Sequence, residues 1–180
     1  MQNALILAGG ESKRFGSDKT LIKYKNYASI THFLFERLSV VFKNVQISAK
    51  SQKFNPPLPI LEDDFDEFCP LFVLANLDKF FNSPVFIIAA DTPFVAKDTI
   101  KTLFSNLNSH QICLAKDELK THYLCGFFDP SVSEIARNLI KNKEKMVRLL
   151  TKVCDTKIIK FDDKKQFLNI NTKQDLESIL

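Results

Sequence analysis

Three of the four glycines in this 180-residue chain, Gly9, Gly10 and Gly16, fall within eight consecutive positions. They follow a short apolar segment near the N-terminus, and the same stretch carries Arg14 and Lys19. Glycines let the backbone approach a phosphate and present several N–H groups to it, and the two cations add positive charge. The spacing matches neither G-x-G-x-x-G nor G-x-x-x-x-G-K-[ST]. The segment therefore predicts a phosphate-binding loop of another kind; the less specific interpretation is an ordinary strand-to-helix turn with two surface bases.

Asp91 directly follows the most apolar strand candidate, residues 85–90, and Pro93 stops that strand. A carboxylate at the carboxyl end of a buried parallel strand projects into the crevice where such sheets bind ligands. Carboxylate oxygens are ligands that Mg²⁺ prefers. The position predicts a magnesium ligand, although an aspartate that caps the following turn would have the same place in the sequence.

Asn169 and Asn171 are two residues apart, so they share one face if this segment is extended. An amide oxygen can complete a magnesium shell without adding charge. We therefore expect both residues to join Asp91 at the metal. An equally simple alternative is that the two side chains stabilise a turn or cap a helix.

Five acidic residues and no basic residue occur between positions 61 and 70. Asp63, Asp64 and Asp66 could contact a ribose hydroxyl, a base or a metal, but as a group they favour a solvated acidic loop with one functional member.

His122 is a candidate general acid or base, although a lone histidine is more often structural. No Ser-His-Asp arrangement or His/Cys metal cluster is suggested. Phosphoryl chemistry needs neither, because positioning and charge neutralisation suffice.

Short apolar runs alternate with helical periodicities along the chain. The predicted strands lie at residues 4–7, 45–48, 85–90, 111–115, 124–128 and 158–161, with a short one at Leu168. The predicted helices lie at residues 30–41, 71–81, 98–107, 132–141 and 146–150, with a last one opened by Thr172 and Asp175. The alternation predicts one α/β domain over residues 1–180, with a mostly parallel sheet covered on both faces. Ligands bind such sheets at the carboxyl ends of the strands.

The composition, with 45% hydrophobic and 26% charged residues, is typical of a globular protein. No uncharged run of about 18 residues predicts a membrane span, and the N-terminus lacks the basic and apolar regions of a signal peptide. Four scattered cysteines without a CxxC pair favour a reducing cytoplasm over a disulfide framework. Residues 1–60 carry nine Lys/Arg and three Asp/Glu, but without a basic run this excess favours an anionic small molecule over nucleic acid.

The segment Leu7-Ala8-Gly9-Gly10-x-Ser12-x-Arg14-x-Gly16-x-Asp18-Lys19 resembles the signature of the molybdenum cofactor guanylyltransferases, the MobA proteins. The resemblance continues, in the family's order, through Cys69-Pro70-Leu71, Ala90-Asp91-Thr92-Pro93-Phe94, His122 and Asn169-Ile170-Asn171-Thr172. It spans nearly the whole chain, and its first motif is highly specific.

This resemblance implies a Rossmann-like three-layer α/β/α nucleotidyltransferase fold. It also implies that GTP and the molybdenum-bearing molybdopterin cofactor are the substrates, that GMP is transferred with release of pyrophosphate, and that Mg²⁺ is the cofactor. A monomer with transient contact to molybdoenzyme-maturation proteins is expected, with no nucleic-acid or membrane partner. The residues it places at GTP are Leu7, Ala8, Gly9, Gly10, Lys19, Asp91 and either Asp63 or Asp64. Those it places in catalysis are Arg14, Lys19 and Asp91, and those at the metal are Asp91, Asn169 and Asn171.

Three departures from the family pattern concern the base pocket more than the phosphate loop. Cys69-Pro70-Leu71-Phe72-Val73 replaces the usual Gly-Pro-Leu-Ala-Gly, Lys50 a common asparagine and Tyr123 a common proline. One alternative is a cytidylyl- or sugar-nucleotide transferase of the same fold. Cytidylyl relatives tend to have Leu-Ala-Ala-Gly in the first motif, so the Gly9-Gly10 pair favours guanine. Another alternative, a non-catalytic nucleotide-binding protein, would have little need for Arg14, Lys19 and Asp91 together.

Overall fold

The structure is a computed structural model that describes residues 1–9, 18–63, 69–170 and 174–175. The described residues form a seven-stranded sheet of β1 (Asn3–Leu7), β2 (Asn44–Ala49), β3 (Ile60–Glu62), β4 (Val85–Ala89), β5 (Ile112–Lys116), β6 (Thr121–Phe128) and β7 (Thr156–Lys160). Their α-helices are α1 (Ile30–Ser39), α2 (Pro70–Leu74), α3 (Leu77–Phe80), α4 (Lys97–Leu107), α5 (Val132–Lys141) and α6 (Val147–Val153). Across these described segments, none of the helices combines the length and apolar character needed to cross a membrane.

The sheet has the strand order β3-β2-β1-β4-β6-β5-β7. β1 lies between β2 and β4 and pairs in parallel with both, so that Leu7 is opposite Ser48 on one side and Ala89 on the other. All five residues of β1 are buried, which explains why four of them, residues 4–7, are apolar. β6 runs antiparallel to β4 and β5, whereas the other described pairings are parallel. The mostly parallel sheet predicted from the sequence is confirmed.

Two apolar cores cover the sheet, one on each face. On the first face, α1 and α4 pack on residues such as Ile6, Ile47 and Phe86. On the second face, α2, α3, α5 and α6 pack on residues such as Leu5 and Ile87. Neighbouring residues of one strand thus enter opposite cores, and the predicted three-layer α/β/α class is confirmed.

Gly126 lets β6 lie close to β5 in the middle of the sheet. A Cβ atom at this position would collide with the carbonyl oxygen of Cys113 and press on Leu114. The absence of a side chain is therefore a condition for the antiparallel insertion of β6.

The single helix predicted at residues 71–81 is wrong, because the segment forms two short helices, α2 and α3. The hydroxyl of Ser133, on α5, enters the helical hydrogen-bond ladder at the break. Its Oγ donates to the carbonyl oxygen of Leu74 at 2.9 Å and accepts from the N–H of Asp78 at 3.1 Å. In a continuous helix those two backbone groups would bond to each other. Arg137 also donates to the carbonyl oxygen of Ala75 at 2.8 Å, so α5 takes over the bonds that the helix lost.

Two further predictions differ from the structure, and one strand was not predicted. The strand expected at Leu168 is wrong, because the side chain of Asp163 accepts from the N–H of Lys165 and opens a 3-10 turn over Lys164–Phe167. β6 begins at Thr121, three residues before the predicted start, and so includes His122. The three-residue β3 was not predicted at all. The other predicted elements within the described residues agree to within three residues at each end; Thr172, predicted to open the last helix, lies outside them.

Replacing Ser133 with alanine is expected to lower the free energy of unfolding by about 1–3 kcal/mol. Ser133 is fully buried, so its removal leaves the partly buried N–H of Asp78 and the buried carbonyl oxygen of Leu74 without their shared partner. Urea denaturation measures the change. Ser105→Ala, which removes an exposed hydroxyl bonded to the carbonyl oxygen of Thr102, is the matched control and should change stability by less than about 0.5 kcal/mol. Equal effects of the two substitutions would contradict the bridging role.

Candidate active site

The carboxyl ends of β3, β2, β1 and β4 meet at one edge of the sheet because these four strands are parallel. Backbone hydrogen bonds continue the pairing just beyond the strand ends. The N–H of Ala8 donates to the carbonyl oxygen of Ser48 at 3.0 Å, and the N–H of Ala90 donates to that of Leu7 at 3.0 Å. The residues that follow these strands are therefore held by the same ladder as the strands themselves.

An ion pair joins Lys19 to Asp91 across this edge, with 2.7 Å between Lys19 Nζ and Asp91 Oδ2. The two side chains are 25% and 16% exposed, so the pair is partly shielded from water. The other carboxylate oxygen, Oδ1, accepts from Thr92 Oγ1 at 3.1 Å and from Asn169 Nδ2 at 3.4 Å. The N–H of Ile170 donates to the carbonyl oxygen of Asp91 at 2.8 Å and holds the C-terminal segment against this turn. The structure thus brings together Lys19, Asp91 and Asn169, three residues selected from the sequence.

Asp18 fixes the backbone around Lys19. Its Oδ1 accepts from the N–H of Thr20 at 3.0 Å and from Thr20 Oγ1 at 2.7 Å, which opens a 3-10 turn over Lys19–Leu21. The carbonyl oxygen of Thr20 accepts from Thr31 Oγ1 at 2.8 Å, so the turn is attached to α1. Burial raises the pKa of Asp18, but the hydrogen bonds from Lys53 and Thr20 outweigh it and leave that pKa below its ordinary value. The capping group is therefore a carboxylate at neutral pH.

Lys53 is a site residue that the sequence analysis missed. Its Nζ donates to the carbonyl oxygen of Ala8 at 2.8 Å and to Asp18 Oδ2 at 2.6 Å. The residue belongs to no recognisable motif. The available signal was its place shortly after β2, the strand that lies beside β1 in a parallel sheet.

Asp63 is buried at the end of β3, with only 7% of its surface exposed. Its N–H donates to the carbonyl oxygen of Ala49 at 3.0 Å, and its Oδ2 accepts from Ser48 Oγ at 3.3 Å. Among the described residues, Asp63 Oδ1 has no hydrogen-bond partner. An unsatisfied buried oxygen is unfavourable, so this atom is suited to accept a hydrogen bond from a ligand.

A cavity of about 270 Å³ opens beside Asp91 on the side of β6. Ala89, Asp91, Thr92, residues 120–125 and Asn169 line it. Because β6 is antiparallel, its first residues extend past the end of β4 and form the cavity wall. The cavity is thus next to the ion pair, on the side away from β2 and β3.

His122 lies in this wall with the contacts of a structural histidine. Its Nε2 is 2.9 Å from Asp117 Oδ2, and its ring stacks on Phe167 with 4.3 Å between ring centroids. Asp117 Oδ1 also accepts from the N–H groups of Leu119 and Lys120, at 2.7 and 2.8 Å. Burial lowers the pKa of His122, and the bond with Asp117 offsets part of that shift. The pair therefore fixes the turn between β5 and β6.

The remaining sequence candidates divide into two groups. The side chains of Leu7 and Ala8 are buried in the two cores, so a ligand at this edge would meet their backbone groups and Gly9. Gly10, Arg14, Asp64 and Asn171 lie outside the described residues. Within the described ranges, no three or more His, Cys, Asp or Glu side chains form a group that could hold a metal ion.

Comparisons with known proteins identify the family and the fold. Residues 4–157 match the family model of the MobA-like NTP transferase domain. The molybdenum cofactor guanylyltransferase of Campylobacter jejuni subsp. jejuni serotype O:6 is 34% identical over 179 residues, covering 97% of this chain and 93% of that protein. The enzyme of the same name from Helicobacter pylori strain G27 is 34% identical over 180 residues, covering 96% and 89%. The structure of molybdopterin-guanine dinucleotide biosynthesis protein A from Archaeoglobus fulgidus has the same fold, with a TM-score of 0.80 at 17% identity and coverage of 98% and 96%.

Replacing His122 with glutamine is expected to flatten the loss of stability on acidification. Because the folded chain has the lower His122 pKa, the unfolded chain takes up the proton first. The contribution of neutral His122 is fully present above about pH 6.5, the ordinary histidine value, and is lost as the pH falls toward the folded pKa. The free energy of unfolding, measured by urea titration between about pH 7.5 and 5.5, should fall more steeply for the wild type. If the free energy of unfolding falls equally with pH in both proteins, the lowered pKa assigned to His122 is contradicted.

Proposed function

The chain belongs to the MobA-like NTP transferase family, and from that premise we propose that it transfers GMP from GTP to molybdopterin carrying molybdenum. The products are the guanine dinucleotide form of the cofactor and pyrophosphate. The observation that carries the proposal is the 2.7 Å pair of Lys19 and Asp91 at the carboxyl edge of the sheet. A cation suited to phosphates and a carboxylate suited to a divalent metal meet there, although 72 positions separate them in sequence.

GTP binding separates this ion pair. The triphosphate oxygens replace Asp91 at the ammonium of Lys19, which then contacts the β- and γ-phosphates. The exchange keeps Lys19 compensated by negative charge in a partly shielded site, where such interactions are stronger than in bulk water. Arg14 acts at the α-phosphate and the leaving pyrophosphate, because its planar fork can hold two oxygens as charge develops. Gly9 and Gly10 carry no side chain, so neither residue type takes space from the phosphates and the base.

Asp91, once exchanged from Lys19, fits a magnesium ion. Mg²⁺ at nucleotide sites commonly takes one or two protein carboxylates, with water and phosphate oxygens as its other ligands. Asp91 supplies such a carboxylate, and Asn169 lies 3.4 Å from it. Asn169 has two possible roles: its amide nitrogen orients Asp91, or its amide oxygen turns to the metal. We propose Asn171 as a further metal ligand. The bound ion would supply positive charge against the triphosphate.

Asp63 accepts hydrogen bonds from the nucleoside. Its Oδ1, which has no hydrogen-bond partner in the part of the chain that the structure describes, is a buried acceptor at the end of β3, on the other side of β1 from Asp91. Guanine presents adjacent donors, the N1–H and the 2-amino group, to a carboxylate, and a ribose hydroxyl presents one. Cytosine lacks the adjacent pair of donors. This position therefore favours GTP over CTP even with the altered Cys69-Pro70-Leu71-Phe72-Val73 segment.

The cavity beside Asp91 receives the phosphorylated acceptor. An oxygen of the acceptor's terminal phosphate attacks the α-phosphorus of GTP and forms the new P–O bond. The bond from that phosphorus to the oxygen shared with the β-phosphate breaks, and pyrophosphate leaves with the electron pair. The attacking phosphate is already anionic at neutral pH, so the step needs no general base. His122, held neutral by burial and bonded to Asp117, shapes the cavity wall without taking a proton.

Asp91→Asn and Asp91→Ala are expected to lower the rate of GMP transfer by roughly 10²–10³-fold, because neither side chain supplies a carboxylate to the charged transition state. Asp91 lies in a turn and not in a core, so both variants should keep the wild-type circular dichroism. Pyrophosphate release with acceptor present, measured over a range of magnesium concentrations, gives the rates. Asp98→Asn removes a 91% exposed carboxylate and is the control that should leave turnover unchanged. Near-normal turnover by folded Asp91→Asn would refute the metal assignment.

GTP should bind more tightly than CTP by about tenfold or more, and Asp63→Asn should narrow that difference. The carboxylate matches two guanine donors, whereas a neutral amide offers them one oxygen. Competition binding in the presence of magnesium measures both affinities, with Glu62→Gln as the exposed neighbouring control. If Asp63 binds only the ribose, Asp63→Asn will weaken GTP and CTP equally. Equal affinities in the wild type would overturn the guanine assignment and favour a cytidylyl-transferring enzyme.

A further inference from the structure

Lys53 joins the two sides of the glycine-rich segment through one nitrogen atom. Ala8 lies before that segment, and Asp18 lies directly after it. Lys53 Nζ donates to the carbonyl oxygen of Ala8 at 2.8 Å and to Asp18 Oδ2 at 2.6 Å. No motif of the sequence and no step of the proposed transfer uses Lys53.

Both bonds satisfy groups that need a donor. The carbonyl of Ala8 lies just beyond β1, and Ala8 is fully buried, so water does not replace a lost partner. Asp18 Oδ2 is a carboxylate oxygen in a side chain that is 31% exposed, opposite a lysine that is 25% exposed. The ammonium also lies 5.6 Å from the ring centroid of Phe54, which is buried and restricts where the lysine can lie. These are charge-assisted contacts in a defined geometry.

The effect of Lys53 reaches Lys19 through Asp18. With Oδ2 bound to Lys53, Asp18 uses Oδ1 to accept from both the N–H and the hydroxyl of Thr20. Lys19, between these two residues, starts the 3-10 turn and extends to Asp91. Four links therefore connect the end of β1 to the phosphate-binding lysine: Ala8, Lys53, Asp18 and the turn.

We propose that Lys53 is a positioning residue for nucleotide binding, which holds Lys19 where it meets the triphosphate by joining Ala8 to Asp18. The inference rests on the proposed function, because it concerns the same phosphate site. When the bridge is absent, the binding-competent arrangement of Ala8 and Lys19 exists for only a fraction of the time. The apparent dissociation constant then rises by the inverse of that fraction. Lys53 does not touch the reacting atoms, so once GTP is bound the chemical step should be little affected.

The test uses the full chain and four variants: Lys53→Met, Lys53→Arg, Asp18→Asn and the double variant of Lys53→Met with Asp18→Asn. Methionine keeps the length of lysine without its charge, and arginine keeps the charge and can donate to both acceptors. Lys101→Met is the matched control, since Lys101 forms an exposed ion pair with Asp98 on α4, with 3.4 Å between the charged atoms. The measurements are the Kd for GTP with magnesium, the KM and kcat of GMP transfer, and hydrogen exchange at the Thr20 amide.

We expect Lys53→Met and Asp18→Asn each to raise the Kd and KM for GTP about tenfold, the order expected when one charge-assisted contact is lost, with kcat changed less than about threefold. Both should accelerate exchange of the Thr20 amide. The double variant should be no worse than either single variant, because both break the same bridge. Lys53→Arg should restore most of the affinity, and Lys101→Met should match the wild type.

Several results would overturn the inference. Unchanged Kd and KM in folded Lys53→Met would show that the bridge is only structural, and a fall in kcat at unchanged Kd would assign Lys53 to chemistry instead. Additive effects in the double variant would show that the two residues act separately. If the wild type does not bind GTP, the proposed function is refuted instead. Hydrogen exchange at the Thr20 amide then tests the bridge independently of nucleotide binding. Unchanged exchange in Lys53→Met would show that the bridge does not hold this turn.

Discussion

The pairing of β1 with a parallel neighbour on each side is the constraint on which the rest of the structure depends. A strand in this position has no face toward water, so its sequence must be apolar throughout, as Asn3–Leu7 nearly is. Its parallel neighbours end beside it, so the chain that leaves each strand enters the same crevice. Gly9 after β1, Asp63 after β3 and Asp91 after β4 thus lie along the same edge of the sheet, although they are far apart in sequence. The apolar core and the polar site are two results of one strand arrangement.

Two ion pairs at this edge each join one lysine to one aspartate. Lys19 pairs with Asp91, and Lys53 pairs with Asp18. They differ in what a ligand can do to them. In the proposed function, a metal-bound triphosphate offers Lys19 and Asp91 new partners, so we infer that this pair is exchangeable. Lys53 and Asp18 are each tied to a second group, Ala8 and Thr20, so their pair belongs to the framework.

The sequence allowed the prediction of those features that depend on local pattern. Buried strands and amphipathic helices follow from hydrophobic periodicity, and the places of Lys19, Asp91 and Asn169 follow from motifs at strand ends. The features that it did not reveal depend on distant contacts. The break between α2 and α3 requires a hydroxyl from α5, and the role of Lys53 requires that β2 lie next to β1. β3 pairs over three residues and has no periodicity of its own, whereas the early start of β6 depends on its pairing with β5 beyond the bulge.

The reversed direction of β6 has a consequence for how such enzymes can diversify. In the proposed function, the nucleotide half of the crevice lies where parallel strands end, and the segments that leave β1, β3 and β4 each lead to a helix that the core needs. The proposed acceptor half lies where an antiparallel strand begins, after a tight turn in which the N–H of Asp117 donates to the carbonyl oxygen of Lys120 at 3.0 Å. A hairpin tip can gain or lose residues without moving the strands that flank it. Evolution can therefore reshape the acceptor half by altering this turn, while the donor half, fixed by its crossovers, remains the same.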